Sequence, residues 1–290
     1  MDLTATPSDR ESSLRRSKDA SWELFDDQAA AFEQRAGLPA NYCRDIATAV
    51  IEIGQSRKGD LILEIGPGTG QIAQWFRQVS AYVGFDLSNG MLRESQRRLG
   101  HNAADRALIQ ADANATWPVA TGSARVIFSS RALHLLDQEH VAFEVFRVAS
   151  DDGASLILGR VQRDRASVRA RMAKEMIERL RRHGFEARRG EQQNQKLVEA
   201  CCRRGAEDLG LRQVARWTVS TSPRQSVESW RCLAGLGGIK VPAKTRDAIL
   251  DEMEAWAEQE FGGLDREIES EEKYVLRSLR VPGPQITPIY

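Results

Sequence analysis

Between Asp60 and Arg160 short apolar runs alternate with amphipathic stretches. The runs are LILEI (61–65), AYVGF (81–85), RALIQ (106–110), RVIFS (125–129) and SLILG (155–159). Short, largely unbroken apolar runs of this kind predict strands buried on both faces. The stretches near 70–79, 88–98 and 137–149 predict helices; in the last, Ala142, Val145, Phe146 and Ala149 recur at helical spacing. Strands alternating with helices give a parallel sheet covered on both sides, so the fold class is α/β.

The flanks follow other rhythms. Residues 1–20 are polar and Ser-rich, which predicts a disordered tail. Ser21 is a candidate helix N-cap, followed by Trp22, Leu24, Phe25, Ala29 and Phe32 at roughly helical spacing. Gly37 and Pro39 stop that helix, and a second runs over 41–54 with Ile46, Val50 and Ile53 on one face. Beyond Arg160 the pattern predicts helices over 163–183, 192–208 and 224–261, and strands over 211–219 and 274–281. Residues 21–290 therefore read as one sheet domain with a core at 60–160. The segments 163–190 and 222–265 branch off after the fifth strand and between the last two. They are expected to form a helical cap over the carboxyl ends of the strands, where open α/β sheets bind ligands.

Charge and composition narrow the function classes. Lys and Arg number 41, as do Asp and Glu, and zero formal charge argues against a long-range electrostatic grip on nucleic acid. The basic stretch 160–189 is nearly cancelled by an acidic one at 247–272, and a solvated or mutually paired helix face is the expected outcome in place of RNA binding. No apolar run approaches the ~18 residues of a membrane span, and the start has no apolar signal core. Cys43, Cys201, Cys202 and Cys232 lack metal-ligand spacing and read as reduced thiols of a cytoplasmic protein, with no metal site expected.

The chemistry sits in Leu61-Ile-Leu-Glu64-Ile-Gly66-Pro67-Gly68-Thr-Gly70, a strand running into a glycine-rich turn. Glycines there let the backbone turn sharply and approach a ligand with no Cβ between. A helix starting at the turn would offer its first amides to an anion. The G-x-G-x-G spacing lacks the later glycine of the dinucleotide fingerprint, G-x-G-x-x-G. Glu64, two residues before the first glycine, would oppose a diphosphate but favour the α-ammonium of an amino-acid-like cofactor. Asp86 ends the second strand about twenty residues past the glycines, where a carboxylate can accept both hydroxyls of a ribose.

With these motifs the sequence resembles the class I S-adenosylmethionine-dependent methyltransferases, in the small-molecule branch of the domain-11 pattern. The resemblance covers residues 60–160 well, and 21–59 and 192–220 more loosely. It implies a doubly wound, mostly parallel, seven-stranded Rossmann-like sheet, with S-adenosyl-L-methionine as cofactor. It also implies methyl transfer to a small-molecule acceptor, with neither a membrane nor a nucleic acid as partner. The family's D-L-S-x-x-M-L continuation stands here as Asp86, Leu87, Ser88, Met91 and Leu92. By resemblance Asp112 accepts the adenine amino group, the Ala113 amide reaches a ring nitrogen, and the segment Phe128–His134, with Ser129, lies beside the methyl. The expected cofactor set is Glu64, Gly66, Pro67, Gly68, Gly70, Asp86, Leu87, Met91, Asp112, Ala113 and Ser129. Arg125 departs from the family's acidic residue at the start of strand four.

Transfer from a sulfonium is an in-line displacement in which positioning supplies most of the acceleration. A general base is needed only when the nucleophile arrives protonated, and His134 is the candidate, a packing residue being the other reading. Arg131 has two readings, a contact to a substrate carboxylate or a cap on a carbonyl. Phe25 and Phe32 fit either a lid or a docked helix. The competing functions are a nicotinamide oxidoreductase, disfavoured by the glycine spacing and Glu64, and a non-catalytic methyltransferase-like scaffold.

Overall fold

The computed structural model describes residues 37–76, 81–100, 105–186, 190–233 and 235–283. The expected tail at 1–20 and the helix carrying Trp22, Phe25 and Phe32 lie outside the described residues. The chain then runs α1 (Ala40–Gly54), β1 (Leu61–Ile65), β2 (Ala81–Asp86), α2 (Asn89–Leu99), β3 (Arg106–Gln110), β4 (Ala124–Ser130) and α3 (Gln138–Val148). It continues with β5 (Ala154–Arg163), α4 (Val168–Arg182), α5 (Gly190–Arg203), β6 (Glu207–Thr221) and α6 (Pro223–Arg231). A hairpin of β7 (Gly235–Leu236) and β8 (Ile239–Lys240) precedes α7 (Ala243–Phe261) and β9 (Ile268–Val281).

Seven strands form one sheet in the order β3-β2-β1-β4-β5-β9-β6. β9 is antiparallel to both its neighbours, so the other six strands point the same way. The order reverses between β1 and β4, which opens a crevice at their carboxyl ends. Alternate residues feed two cores: Leu63, Ile65, Phe85 and Ile127 face α3 and α5, while Ile62, Tyr82, Phe128 and Tyr274 face α1. That two-sided burial is why the first strands read as apolar runs.

Local signals account for most element ends. Ser88 caps α2 by accepting from Met91 N–H, and Asp137 caps α3 by accepting from the amides of Glu139 and His140. Ser222 and Gln225 close a capping box around the start of α6, with Pro223 in the first turn.

Four expectations need adjusting. Residues 71–76 hold only a single 3-10 turn (Ala73–Trp75) in place of the start of a helix over 70–79. Ile72, Trp75 and Phe76 are indifferent helix formers, and Gln71 is tied sideways to the Leu38 backbone in both directions. The helix expected over 192–208 stops at Arg203, and β6 starts earlier, at Glu207, because Gly210 (φ +84°) makes a bulge and donates to Asp208 Oδ1 at 3.0 Å. The helical stretch 224–261 is interrupted by the β7–β8 hairpin, which turns at Gly237-Gly238. Lastly β9 begins at Ile268, not 274. Its early half, Ile268-Glu-Ser-Glu-Glu272-Lys, alternates weakly in hydropathy and rises, paired with β6, beyond the end of β4.

β4 stops at Ser130, opposite Gly159, whereas β5 continues through Arg163, paired with β9 and through it with β6. These three strands therefore stand about 13 Å above the end of β4, at ~3.3 Å per residue. α4 leaves from the top of β5, and α6 and α7 are inserted between the top of β6 and the start of β9. The three helices and the hairpin share a separate core of Met172, Met176, Leu180, Val227, Ile249, Met253 and Phe261. Both insertions thus branch at the carboxyl edge of the parallel strands. The basic face of α4 is paired with acidic α7, through Arg171 to Glu260 and through Arg179 and His183 to Glu252.

Candidate active site

The turn after β1 lies at the β1/β4 crevice, and its glycines answer different demands. All three have positive φ, +67° at Gly66, +56° at Gly68 and +76° at Gly70. A Cβ on Gly66 would fall 2.5 Å from Ala132 Cβ, and one on Gly70 would fall 2.5 Å from Ser95 Oγ, so these two are demanded by packing. A Cβ on Gly68 would meet nothing within 4 Å. Gly68 therefore leaves open space at the crevice, as close backbone approach to a ligand requires.

Asp86, at the end of β2, holds this turn. Its Oδ2 accepts from Gly68 N–H at 3.1 Å and its Oδ1 from Ser88 N–H at 3.0 Å. Both bonds fix the carboxylate at the crevice. Leu87 follows with its side chain 38% exposed, an apolar plate beside the carboxylate. Met91 is buried and its amide is used in capping α2, so it supports the turn from beneath.

The turn after β3 places Asp112 in solvent and Ala113 in the core. Asp112 Oδ1 accepts from Asn114 N–H at 2.8 Å, closing an Asx turn. Trp117, against Phe85, donates from Nε1 to the Ala113 carbonyl at 3.0 Å, and its own amide is held by Glu144 at 2.7 Å. Sequence reasoning missed Trp117 as the residue that sets this turn.

Glu64 is the residue whose surroundings differ most from expectation. It is buried on the α1 face, and Tyr82 O–H donates to its Oε2 at 2.8 Å. Tyr82 reaches it by lying over Gly84, where a Cβ would sit 2.4 Å from the hydroxyl. Burial pushes the Glu64 carboxyl up to about 8, against the Tyr82 hydrogen bond that lowers it, and nearby Asp86 adds to the rise. The Tyr-x-Gly spacing on β2 is the one sequence signal of this pair.

β4 carries a second such arrangement. Ser129 is buried and donates to the Ile65 carbonyl at 2.8 Å, so its hydroxyl ties β4 to the end of β1. The Ser130 hydroxyl lies 2.6 Å from Tyr274 O–H, and Tyr274 crosses over Gly159, where a Cβ would sit 2.1 Å away. Arg131 then adopts φ +65°, rare for a side chain of its size, and swings Ala132 against Gly66. Burial pulls the Arg131 guanidinium below its usual range. Tyr274, Cys43 and Glu272 oppose the drop, and Arg163 deepens it. His134 lies in the 3-10 turn Leu133–Leu135 directly after this segment, with its side chain outside the described residues.

A cleft of about 530 Å³ opens on the opposite face of β5 and β9, against α5. It is lined mainly by polar residues, and Arg277 there is committed to Asp208 and Gln195. Among the described residues no cluster of His, Cys, Asp or Glu could hold a metal ion, and no helix is long and apolar enough to cross a membrane.

Comparison with curated proteins finds no match. Among solved structures, a candidate methyltransferase of Bacillus halodurans C-125 superposes with a TM-score of 0.53 at 17% identity, covering 81% of this chain and 98% of its own. The YcgJ protein of Bacillus subtilis gives 0.49 at 18% identity, covering 81% and 97%. The [4+2]-cyclase SpnF gives 0.48 at 18%, covering 83% and 82%. The first of these shares the sheet architecture described above. A family model described as a methyltransferase domain matches residues 62–153, the stretch from β1 to the turn before β5 that holds Glu64, the glycine turn, Asp86 and Asp112. Residues 62–153 of the chain thus carry a methyltransferase domain.

Proposed function

We propose that this enzyme transfers a methyl group to a small-molecule acceptor, with S-adenosylmethionine seated at the β1/β4 crevice. The observation that carries the seating is the Gly68 amide on Asp86 Oδ2 beside open space where a Cβ would project. When bound, the cofactor supplies a methyl already activated on a sulfonium. Asp86 offers its carboxylate to the ribose hydroxyls, Leu87 an apolar plate to the adenine, and Asp112 an exposed acceptor at its edge. The Gly66–Gly70 turn, with Pro67, borders the methionine part. Ser129 acts indirectly, by holding the end of β1. Glu64 carries a proton near neutrality, so a cation arriving at this edge favours its release. We assign residues 21–290 to one domain in which α4, α6 and α7 form the cap that bounds the acceptor.

The test is calorimetric titration with S-adenosylhomocysteine and, separately, NAD. The product cofactor binds and NAD does not; the reverse result sinks the reading. Asp86→Ala weakens binding by about 2–4 kcal/mol through loss of a charge-assisted acceptor. Unchanged affinity in a folded variant refutes the ribose role.

His134 is proposed as a base only for a hydroxyl acceptor. His134→Ala then lowers turnover by ~10²–10⁴-fold and removes a rate rise through an apparent pKa near 6.5. Cofactor affinity stays within about threefold, ~0.7 kcal/mol. Full activity with an unaltered pH profile makes His134 a packing residue.

A further inference from the structure

The wall formed by the tops of β5, β9 and β6 carries a charge arrangement that neither the glycine turn nor the cap core requires. Glu272 on β9 is almost fully buried, and its register partners are Arg163 on β5 and Trp217 on β6. All three share the α1 face, one step above Val161, Tyr274 and Ala215. Arg163 Nε lies 2.9 Å from Glu272 Oε1, and Arg169 Nη1, from the first turn of α4, lies 3.2 Å from the same oxygen. Both guanidinium side chains remain about 40% exposed, at 44% and 39%. Arg131 belongs to the same field, since Arg163 and Glu272 both act on it.

Two half-exposed arginines that share one carboxylate oxygen leave donors over for a further acceptor. A guanidinium has five N–H donors in a planar fork suited to oxyanions, and one carboxylate oxygen satisfies few of them. One buried carboxylate also leaves the Arg163–Arg169 pair with a net positive charge. The three residues stand at the top of β5 and β9, about 13 Å above the end of β4 at ~3.3 Å per residue, on the side of the sheet where Arg163 and Glu272 act electrostatically on Arg131. From this juxtaposition we infer that Arg163 and Arg169 clamp an oxyanion, a carboxylate or a phosphate, of the methyl acceptor, with Glu272 holding both guanidiniums in place. The inference rests on the methyltransferase reading only in calling the bound anion part of the acceptor.

The test titrates inorganic phosphate and, separately, benzoate at fixed ionic strength, into the protein alone and into its complex with S-adenosylhomocysteine. The readout is the Nε–H resonances of the arginine side chains. Saturable shifts at Arg163 and Arg169 are expected, with phosphate alone or benzoate alone showing which oxyanion the acceptor carries. Arg169→Gln keeps the Arg163–Glu272 pair and so the wall, and weakens anion binding roughly tenfold; Arg163→Gln/Arg169→Gln removes it. Affinity for S-adenosylhomocysteine stays within about twofold in Arg169→Gln. Absence of saturable binding of either anion, or equal binding in wild type and both variants, overturns the clamp. Anion binding that persists in a protein unable to bind S-adenosylhomocysteine upholds the clamp and fails the methyltransferase reading instead.

Discussion

Glu64 shows how a single position can serve two ends. The reading from sequence placed a bare carboxylate beside an ammonium; the fold instead supplies a buried carboxyl that Tyr82 reaches across Gly84. Its value near 8 lies above the ordinary 4.5, so folding favours the protonated form. The stability it contributes is whole below about pH 4.5 and is lost as the pH rises through 8. Glu64→Gln keeps the hydrogen-bond acceptor and removes the titration. Urea denaturation at pH 5 and pH 8 checks this: wild type loses more stability over that interval than the variant. Parallel losses in both proteins place the titrating group elsewhere. The glycine spacing, Asp86 and Asp112 were legible because each depends on its own strand end. The Tyr82–Glu64 pair was hidden because it depends on which residue of β2 faces which residue of β1, a register that periodicity does not reveal.

At the scale of elements, the basic α4 and acidic α7 answer one another. Arg179 is nearly buried and bonds Glu252 at 2.8 Å and Glu175 at 3.0 Å, while His183 bonds the other oxygen of Glu252 at 3.0 Å. The two hydrogen bonds, His183 first, hold the Glu252 carboxyl below its usual range. Glu252→Gln therefore costs about 1 kcal/mol, a modest figure because Glu252 is itself 42% exposed. Hydrogen exchange should speed in α4 and α7 with β1 to β4 unaffected; uniform acceleration across the sheet means that the cap does not open by itself. The opposed charge runs left two outcomes open, a solvated face or a paired one, and the structure has the paired one. The Arg163–Glu272 contact spans 109 positions and was not, since nothing near either residue marks the other. The hairpin inside the expected 224–261 helix escaped notice for a related reason. Its Gly237-Gly238 turn joins strands of two residues each, too short for any period to register.

Across the whole molecule, apolar strands alternating with helices pointed to a parallel sheet, and the strand order shows where its crevice opens. What composition could not convey is the direction of β9. It is the last strand in the chain order yet lies between β5 and β6, forming every sheet contact that β6 makes. During synthesis on a ribosome β6 therefore emerges some fifty residues before β9, its one sheet neighbour among the described residues, with both its own edge and that of β5 unsatisfied. Unpaired edges are templates for joining other chains. A chain ending before Ile268 should accumulate in the insoluble fraction, and a separately supplied peptide of residues 268–283 should shift it toward the soluble one. Recovery of that truncated chain as a stable monomer would mean that β6 finds shelter without β9. Completion of the fold is thus timed by its carboxyl-terminal strand, and any chaperone that shields β6 must hold it until that strand is released.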